Sequence, residues 1–255
     1  MTSCIFVLYI ALSGEPAGVA VPTLRPAHPA GRQSADDPDA LYARREDLAS
    51  AREAEAIWAR RVAADPADFE SAWKLARARY WLGGHAPPDE RKAVLEAGVA
   101  AGRAAARIQP GRPEGHFWMA ANMGALAEAH GLRQGLRYRG EVRDALLTVL
   151  KIDPAFQQGS ADRALGRWYY KVPGLFGGSK RKSEDHLRRS LTYNPRSTAS
   201  LYFLAETLLA LDREAEARAA LQQILDVEPH ADWMPEDREF KAKARMLLAQ
   251  LKDQY

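Results

Sequence analysis

Aromatic and basic side chains are concentrated between residues 164 and 187, in the segment ALGRWYYKVPGLFGGSKRKSEDHL. Three consecutive aromatic residues precede a glycine-rich loop, and one face of a helix cannot bury all three. One or two of them must therefore face a loop, a groove or solvent, where a ligand can reach them. The alternative is a local core, in which the loop folds back and packs one aromatic ring on another. The ligand-binding candidates in this segment are Arg167, Trp168, Lys171 and Phe176.

A second group of candidates follows a glycine in the sequence GHFWMAAN, residues 115–122. His116 and Asn122 stand six residues apart on a predicted helix whose other residues are mostly apolar. An asparagine buried in such a helix needs a hydrogen-bond partner. That partner is either a neighbouring backbone group or a ligand. Trp118 and Asn122 are therefore the candidates for ligand contact here.

Three cations, Lys180, Arg181 and Lys182, occupy the first turn of the helix that Ser179 is predicted to cap. The helix dipole is positive at this end and disfavours each cation by about 0.3–1 kcal/mol. An anion from an acidic partner, a lipid headgroup or a ligand carboxylate would offset that cost. Simple solvation of a surface helix is the other explanation, because Glu184 and Asp185 follow closely.

The sequence has no pattern for catalysis or for metal binding. Its six histidines form no HExxH motif and have no carboxylate at ligand spacing, and no Gly-x-Ser-x-Gly motif occurs. The glycines at 174–178 lack the strand and the Gly-Lys-Ser/Thr ending of a phosphate-binding loop. Cys4 is the single cysteine, which excludes a disulfide and a thiolate metal site within the chain. We expect no enzyme activity, no metal and no cofactor.

Charge and composition give no indication of nucleic-acid binding. The net charge is +3, from 36 basic and 33 acidic residues that are interspersed along the chain. No nucleic-acid-binding motif is present. Alanine, leucine, arginine and glutamate dominate, which favours helices, and alternating strand patterns are missing.

A recurring proline indicates how the candidate residues are positioned. Prolines 66, 110, 154, 195 and 229 each close a helical stretch, at spacings of 44, 44, 41 and 34 residues. A period of about 34 with a closing proline is typical of the tetratricopeptide repeat, in which helical hairpins stack into a superhelix. We predict an all-α superhelix of about eleven helices, with a capping helix at about residues 235–252. Loops are expected at residues 82–88, 131–140 and 172–178.

The N-terminal region has the features of an exported protein. Residues 4–12 are apolar or small, and Gly18, Val19 and Ala20 suit signal-peptidase cleavage. No lysine or arginine precedes the apolar run, and no lipobox precedes Cys4, so lipid anchoring is unsupported. We predict a signal peptide at 1–20, a disordered linker at 21–38 and a repeat domain at 39–255, with a periplasmic location. The alternatives are a buried N-terminal tail and a wrongly placed start codon.

Residues 39–252 resemble the T-component proteins of TRAP transporters. The features that carry this resemblance are the proline-closed array, the segment at 164–187, the repeat NPRSTASLYFLAETLLALDREAEARAALQQIL and the final helix. That resemblance implies an all-helical exported protein that assists uptake of a small hydrophobic or carboxylate ligand. It also implies a periplasmic solute-binding protein as partner and a trimer as the homo-oligomer. Regulators of microtubule dynamics share a similar repeat layout.

Two functions are therefore open. The first is an exported scaffold that binds a protein partner and a small ligand. The second is an intracellular or membrane-tethered adaptor that mediates protein–protein interaction only.

Overall fold

The computed structural model describes residues 37–129 and 132–252, and these residues form eleven α-helices and no strand. The predicted all-α class and helix number are confirmed. The predicted signal peptide and residues 21–36 of the predicted linker lie outside the described residues. The helices are α1 (Pro38–Ala43), α2 (Leu48–Ala64), α3 (Phe69–His85), α4 (Pro88–Ile108), α5 (Pro113–Ala129), α6 (Leu132–Ile152), α7 (Ser160–Lys171), α8 (Lys180–Tyr193), α9 (Thr198–Leu209), α10 (Glu214–Asp226) and α11 (Met234–Lys252).

The helices form five antiparallel hairpins in chain order, from α1/α2 to α9/α10, followed by α11. The second helix of each hairpin ends two or three residues before a closing proline, because the residue before proline is pushed out of the helical region. The caps Asp65, Gln109 and Asn194 accordingly have ψ angles of 96°, 81° and 94°. Ser179 caps α8 by accepting a hydrogen bond from the Lys182 backbone nitrogen, which confirms the predicted cap.

Small residues bring the two helices of a hairpin close together. In α9/α10, Ala205 and Ala217 are fully buried at the contact, and leucine and isoleucine side chains fill the remaining groove, as the sequence predicts. In α7/α8, Leu187 packs where a side chain on Gly166 would have to lie. Each second helix packs on the first helix of the next hairpin, and the first helices also contact one another, α3 on α5, α5 on α7, α7 on α9 and α9 on α11.

Two of the three predicted loops are wrong. Helix α3 continues to His85 and α4 begins at Pro88, so only Ala86 and Pro87 connect them. Helix α6 begins at Leu132, so residues 132–140 are helical and Gly131 lies outside the described residues. Burial of Tyr138 against the core outweighs the cost of about 1 kcal/mol for a helical glycine such as Gly140. The loop at 172–178 is confirmed and contains a 3₁₀ turn at Gly174–Phe176.

The final helix caps the stack and also reaches back to the first hairpin. Ala244 and Leu251 of α11 are buried against α9 and α10, as expected for a capping helix. Arg45, in the turn between α1 and α2, donates hydrogen bonds to the Glu236 carboxylate and to the Asp232 carbonyl oxygen, the latter at 3.0 Å. The stacked helices therefore close on themselves through polar contacts. We call the contacts of α11 with residues 45, 46 and 85 the closing seam.

Candidate ligand cavity

A cavity of about 1320 Å³, partly open to solvent, lies within the helical stack. Its walls come mainly from α3, α5, α7, α9 and α11, which are the first helix of each later hairpin and the capping helix. Stacking through first helices turns one face of each of them inward. Trp118 of α5 and the candidate residues of α7 therefore line the same cavity.

Aromatic and small residues share the central part of the wall. The Tyr80 and Trp118 rings lie 5.7 Å apart between centroids, and Phe117 packs edge-on against Trp118 at 5.1 Å. Tyr80 is 40% exposed towards the cavity. A side chain added at Gly124 of α5 would meet nothing within 4 Å, so this part of the wall is open space. The surface suits an apolar ligand body.

The structure brings four of the six predicted ligand-binding residues to this cavity. Trp118, Arg167, Trp168 and Lys171 line it. Trp168 is largely buried, and its indole nitrogen donates a 2.9 Å hydrogen bond to the Arg139 carbonyl oxygen.

Asn122 and Phe176 are not among the lining residues. Asn122 is fully buried, and its amide nitrogen donates to the carbonyl oxygens of Ala76 at 3.0 Å and Trp118 at 2.8 Å. This is the backbone bond that the sequence left as an alternative to ligand contact. Phe176 is half-buried beneath the Arg139 guanidinium, whose carbon lies 5.6 Å from the ring centroid.

Arg167 is neutralised within the protein. Its guanidinium donates to Glu128 at 2.9 Å and to Glu206 at 2.5 Å, and it lies over the Phe203 ring. Desolvation opposes the charged form, but the two carboxylates outweigh it and raise the pKa of Arg167. Lys171 lies 3.9 Å from Glu128. These predicted ligand cations therefore already have carboxylate partners.

The predicted anion-facing residues differ in their surroundings. The Lys180 ammonium donates to the Tyr170 carbonyl oxygen at 2.5 Å and lies 3.6 Å from the centroid of the Tyr170 ring. Desolvation, together with the nearby charges of Lys171 and Arg167, lowers the pKa of Lys180. Arg181 and Lys182 are exposed. A role for these three cations in binding an anion stays a prediction.

Sequence analysis missed Arg163 and Tyr80 as cavity residues. Arg163 lies on α7 one turn before Arg167, and both line the cavity with Lys171. The i, i+4, i+8 spacing of these three cations places them on one helix face, and that pattern was available in the sequence. Arg163 is half-buried, and desolvation lowers its pKa.

Within residues 37–129 and 132–252, no three histidine, cysteine, aspartate or glutamate side chains are grouped to hold a metal ion. The same residues contain no helix with the length and hydrophobicity needed to cross a bilayer.

A solved tetratricopeptide-repeat protein shares this arrangement. TTC0263, a thermophilic TPR protein of Thermus thermophilus, aligns with a TM-score of 0.63 and 20% identity, over 83% of this chain and 97% of that one. MamA aligns with a TM-score of 0.49 and 14% identity, over 78% of this chain and 95% of that one. The first likeness supports the predicted tetratricopeptide-like superhelix.

No curated protein matches the chain in sequence. The resemblance to T-component proteins stays a prediction. A family model described as "Regulator of microtubule dynamics protein 1-3" matches residues 37–176. This segment is more than half of the chain and contains α1–α7, which supply much of the cavity wall. The chain therefore belongs to the RMD1-3 family.

Proposed function

We propose that the protein is a repeat scaffold that holds a small hydrophobic or carboxylate ligand in its central cavity and binds a protein partner through its outer surface. The observation that carries the proposal is the cavity of about 1320 Å³ with aromatic and small residues in its wall. Small-molecule sites have volumes of about 300–1,000 Å³, so the space is ample for such a ligand.

The closing seam favours a small ligand over an extended peptide. A peptide that lies along a repeat array needs an open concave groove. Here α11 contacts the first hairpin and α3 through Arg45, Glu46 and His85, so polar contacts join the two ends of the stack. The outer surface remains available to a protein, and Leu175 at its 3₁₀ turn is 90% exposed.

Export to the periplasm is part of the proposal and depends on the apolar run at residues 4–12. A solute-binding protein is then the partner that the T-component resemblance suggests, and a trimer is the oligomer.

The family match favours a second candidate. The family name points to proteins that regulate microtubule dynamics, and an adaptor of that kind would bind protein partners without a ligand of its own. Such an adaptor would be intracellular or tethered to a membrane.

The cavity proposal is tested by filling the cavity. In Gly124→Leu a leucine side chain would project into open space in the wall, whereas Gly140→Leu adds the same side chain to a helix position outside the wall. Titration calorimetry with 1-decanol and with decanoate should show binding to the wild type and to Gly140→Leu. Gly124→Leu should bind about tenfold more weakly or worse, a loss of about 1.4 kcal/mol. A wild type that binds neither compound would overturn the ligand proposal and favour the adaptor.

A further inference from the structure

The acidic side chains that line the cavity from its helices all have partners inside the protein. Glu128 and Glu206 pair with Arg167 on neighbouring helices. The three others belong to α11: Glu236 pairs with Arg45, Glu239 with His85, and Asp237 accepts hydrogen bonds from the Thr198 hydroxyl and the His230 backbone nitrogen. None of these carboxylates needs a cation from a ligand.

Most cavity cations are engaged as well. Arg91 donates to the Ala86 carbonyl oxygen at 2.7 Å, and Arg139 donates to that of Leu136 at 3.0 Å. Lys243 lies 3.8 Å from Glu239. Arg196 is exposed in the loop before α9, where water solvates it.

Arg163 is different. It lines the cavity and is half-buried, and no hydrogen bond, ion pair or ring contact joins its guanidinium to any other described residue. The groups whose fields reach it are Tyr80 and Glu236, and the Glu236 carboxylate is engaged by Arg45. Desolvation lowers the pKa of Arg163, because the charged form has lost water without gaining a partner.

A half-buried guanidinium without a partner gains much from a bound anion. Its planar fork of five N–H donors matches the two oxygens of a carboxylate, and such charge-assisted bonds are about twice as strong as neutral ones. Because Arg163 carries one uncompensated positive charge, a ligand with a single negative charge would neutralise it. The Tyr80 ring is 40% exposed and packs on the buried Trp118 ring, so it offers an apolar surface for the rest of the molecule.

We propose that Arg163 binds the carboxylate of an amphipathic monocarboxylate whose apolar body lies against Tyr80. The proposal rests on the proposed function, since it assigns the ligand class and the anchoring residue of the same cavity. It assigns ligand recognition to Arg163 rather than to Arg167, which is already ion-paired.

The test compares two probes of equal chain length, decanoate and 1-decanol, by titration calorimetry on the full chain. The wild type should bind decanoate about 10- to 100-fold more tightly than 1-decanol, as expected for hydrogen bonds to a charged group. In Arg163→Met that preference should fall to less than about threefold, with 1-decanol affinity unchanged. Arg163→Lys should keep part of the preference. Arg196→Gln, which removes an exposed rim arginine, should keep all of it.

The outcomes separate this proposal from the one on which it rests. Equal binding of both probes by the wild type would overturn the role of Arg163 and leave the cavity proposal standing. A decanoate preference that survives in Arg163→Met would also overturn it, because another cation would then hold the carboxylate. Binding of neither probe by the wild type would overturn both proposals. Thermal unfolding of each variant shows whether it is folded during the titration.

Discussion

Replacing Arg45 by methionine tests whether the closing seam holds the stack shut. The Arg45 side chain is only 5% exposed, and its guanidinium lies about 5 Å from the ring centroids of Tyr42 and Trp81. Two of its nitrogens donate to Glu236, and one of them also donates to the Asp232 carbonyl oxygen. Methionine keeps a similar apolar stem between the rings but removes every one of these donors.

The stability that Arg45→Met is expected to lose depends on how exposed the abandoned partner, Glu236, is. Removing one member of a buried ion pair costs about 3–5 kcal/mol, because the other charge stays buried alone. The Glu236 side chain is 28% exposed, so water can solvate part of the abandoned carboxylate. We therefore expect a decrease of about 2–3 kcal/mol in the free energy of unfolding. Urea denaturation measures it as a shift in midpoint with an unchanged slope.

A matched control lies in the same seam. Arg238 pairs with Glu46 at 2.8 Å, but these side chains are 57% and 49% exposed. Arg238→Met should therefore cost less than about 1 kcal/mol, as is usual for surface ion pairs.

Hydrogen exchange locates the effect of Arg45→Met. Repeat stacks are stabilised by contacts between neighbours, so loss of the seam should speed exchange in α11 and α1 and spare α4–α6. A loss below about 0.5 kcal/mol with unchanged exchange in α11 would refute the view that Arg45 closes the stack.

Two further predictions concern the seam's histidine and the helix contacts. Desolvation lowers the pKa of His85, but hydrogen bonds with Glu239 and the Trp81 carbonyl group outweigh it and raise that pKa, while the pKa of Glu239 is lowered. The pair should therefore stabilise the fold fully between pH 4.5 and pH 6.5, which are the ordinary pKa values of glutamate and histidine. This stabilisation should be lost as pH rises through the raised pKa of His85. The melting-temperature difference between wild type and His85→Gln should be largest near about pH 5–6 and shrink above it. Gly102→Ala places a methyl group 2.6 Å from a backbone nitrogen of α5, and it should destabilise the protein by about 1–3 kcal/mol. The methyl group of Gly124→Ala meets open space, so this variant should stabilise the protein by about 0.5–1 kcal/mol. Urea denaturation measures both changes.

The fold was predictable from local rules. Each closing proline ends a helix because it clashes sterically with a helical conformation of the residue before it. The sequence therefore predicts where each hairpin ends. The errors at 82–88 and 131–140 arose where glycines suggested loops. In α6 the decisive factor is tertiary, because Arg139, Val142 and Leu146 lie on one helix face towards the cavity, and Tyr138 packs on the core.

The cavity itself was only partly predictable, because its closure and its charge balance depend on residues far apart in the chain. Arg45 and Glu236 are 191 positions apart, and no periodicity relates them. Arg163 and Arg167 are equivalent in sequence, since both are arginines on one face of α7. They differ only because Glu128 of α5 and Glu206 of α9, each 39 positions from Arg167, converge on it. Which arginine is free to bind an anion is therefore a property of the folded stack. Glu128 alone still accepts two hydrogen bonds from Arg167 when Glu206 is exchanged. Glu206→Gln should accordingly lessen the charge compensation of Arg167 and raise decanoate affinity without any change at Arg163.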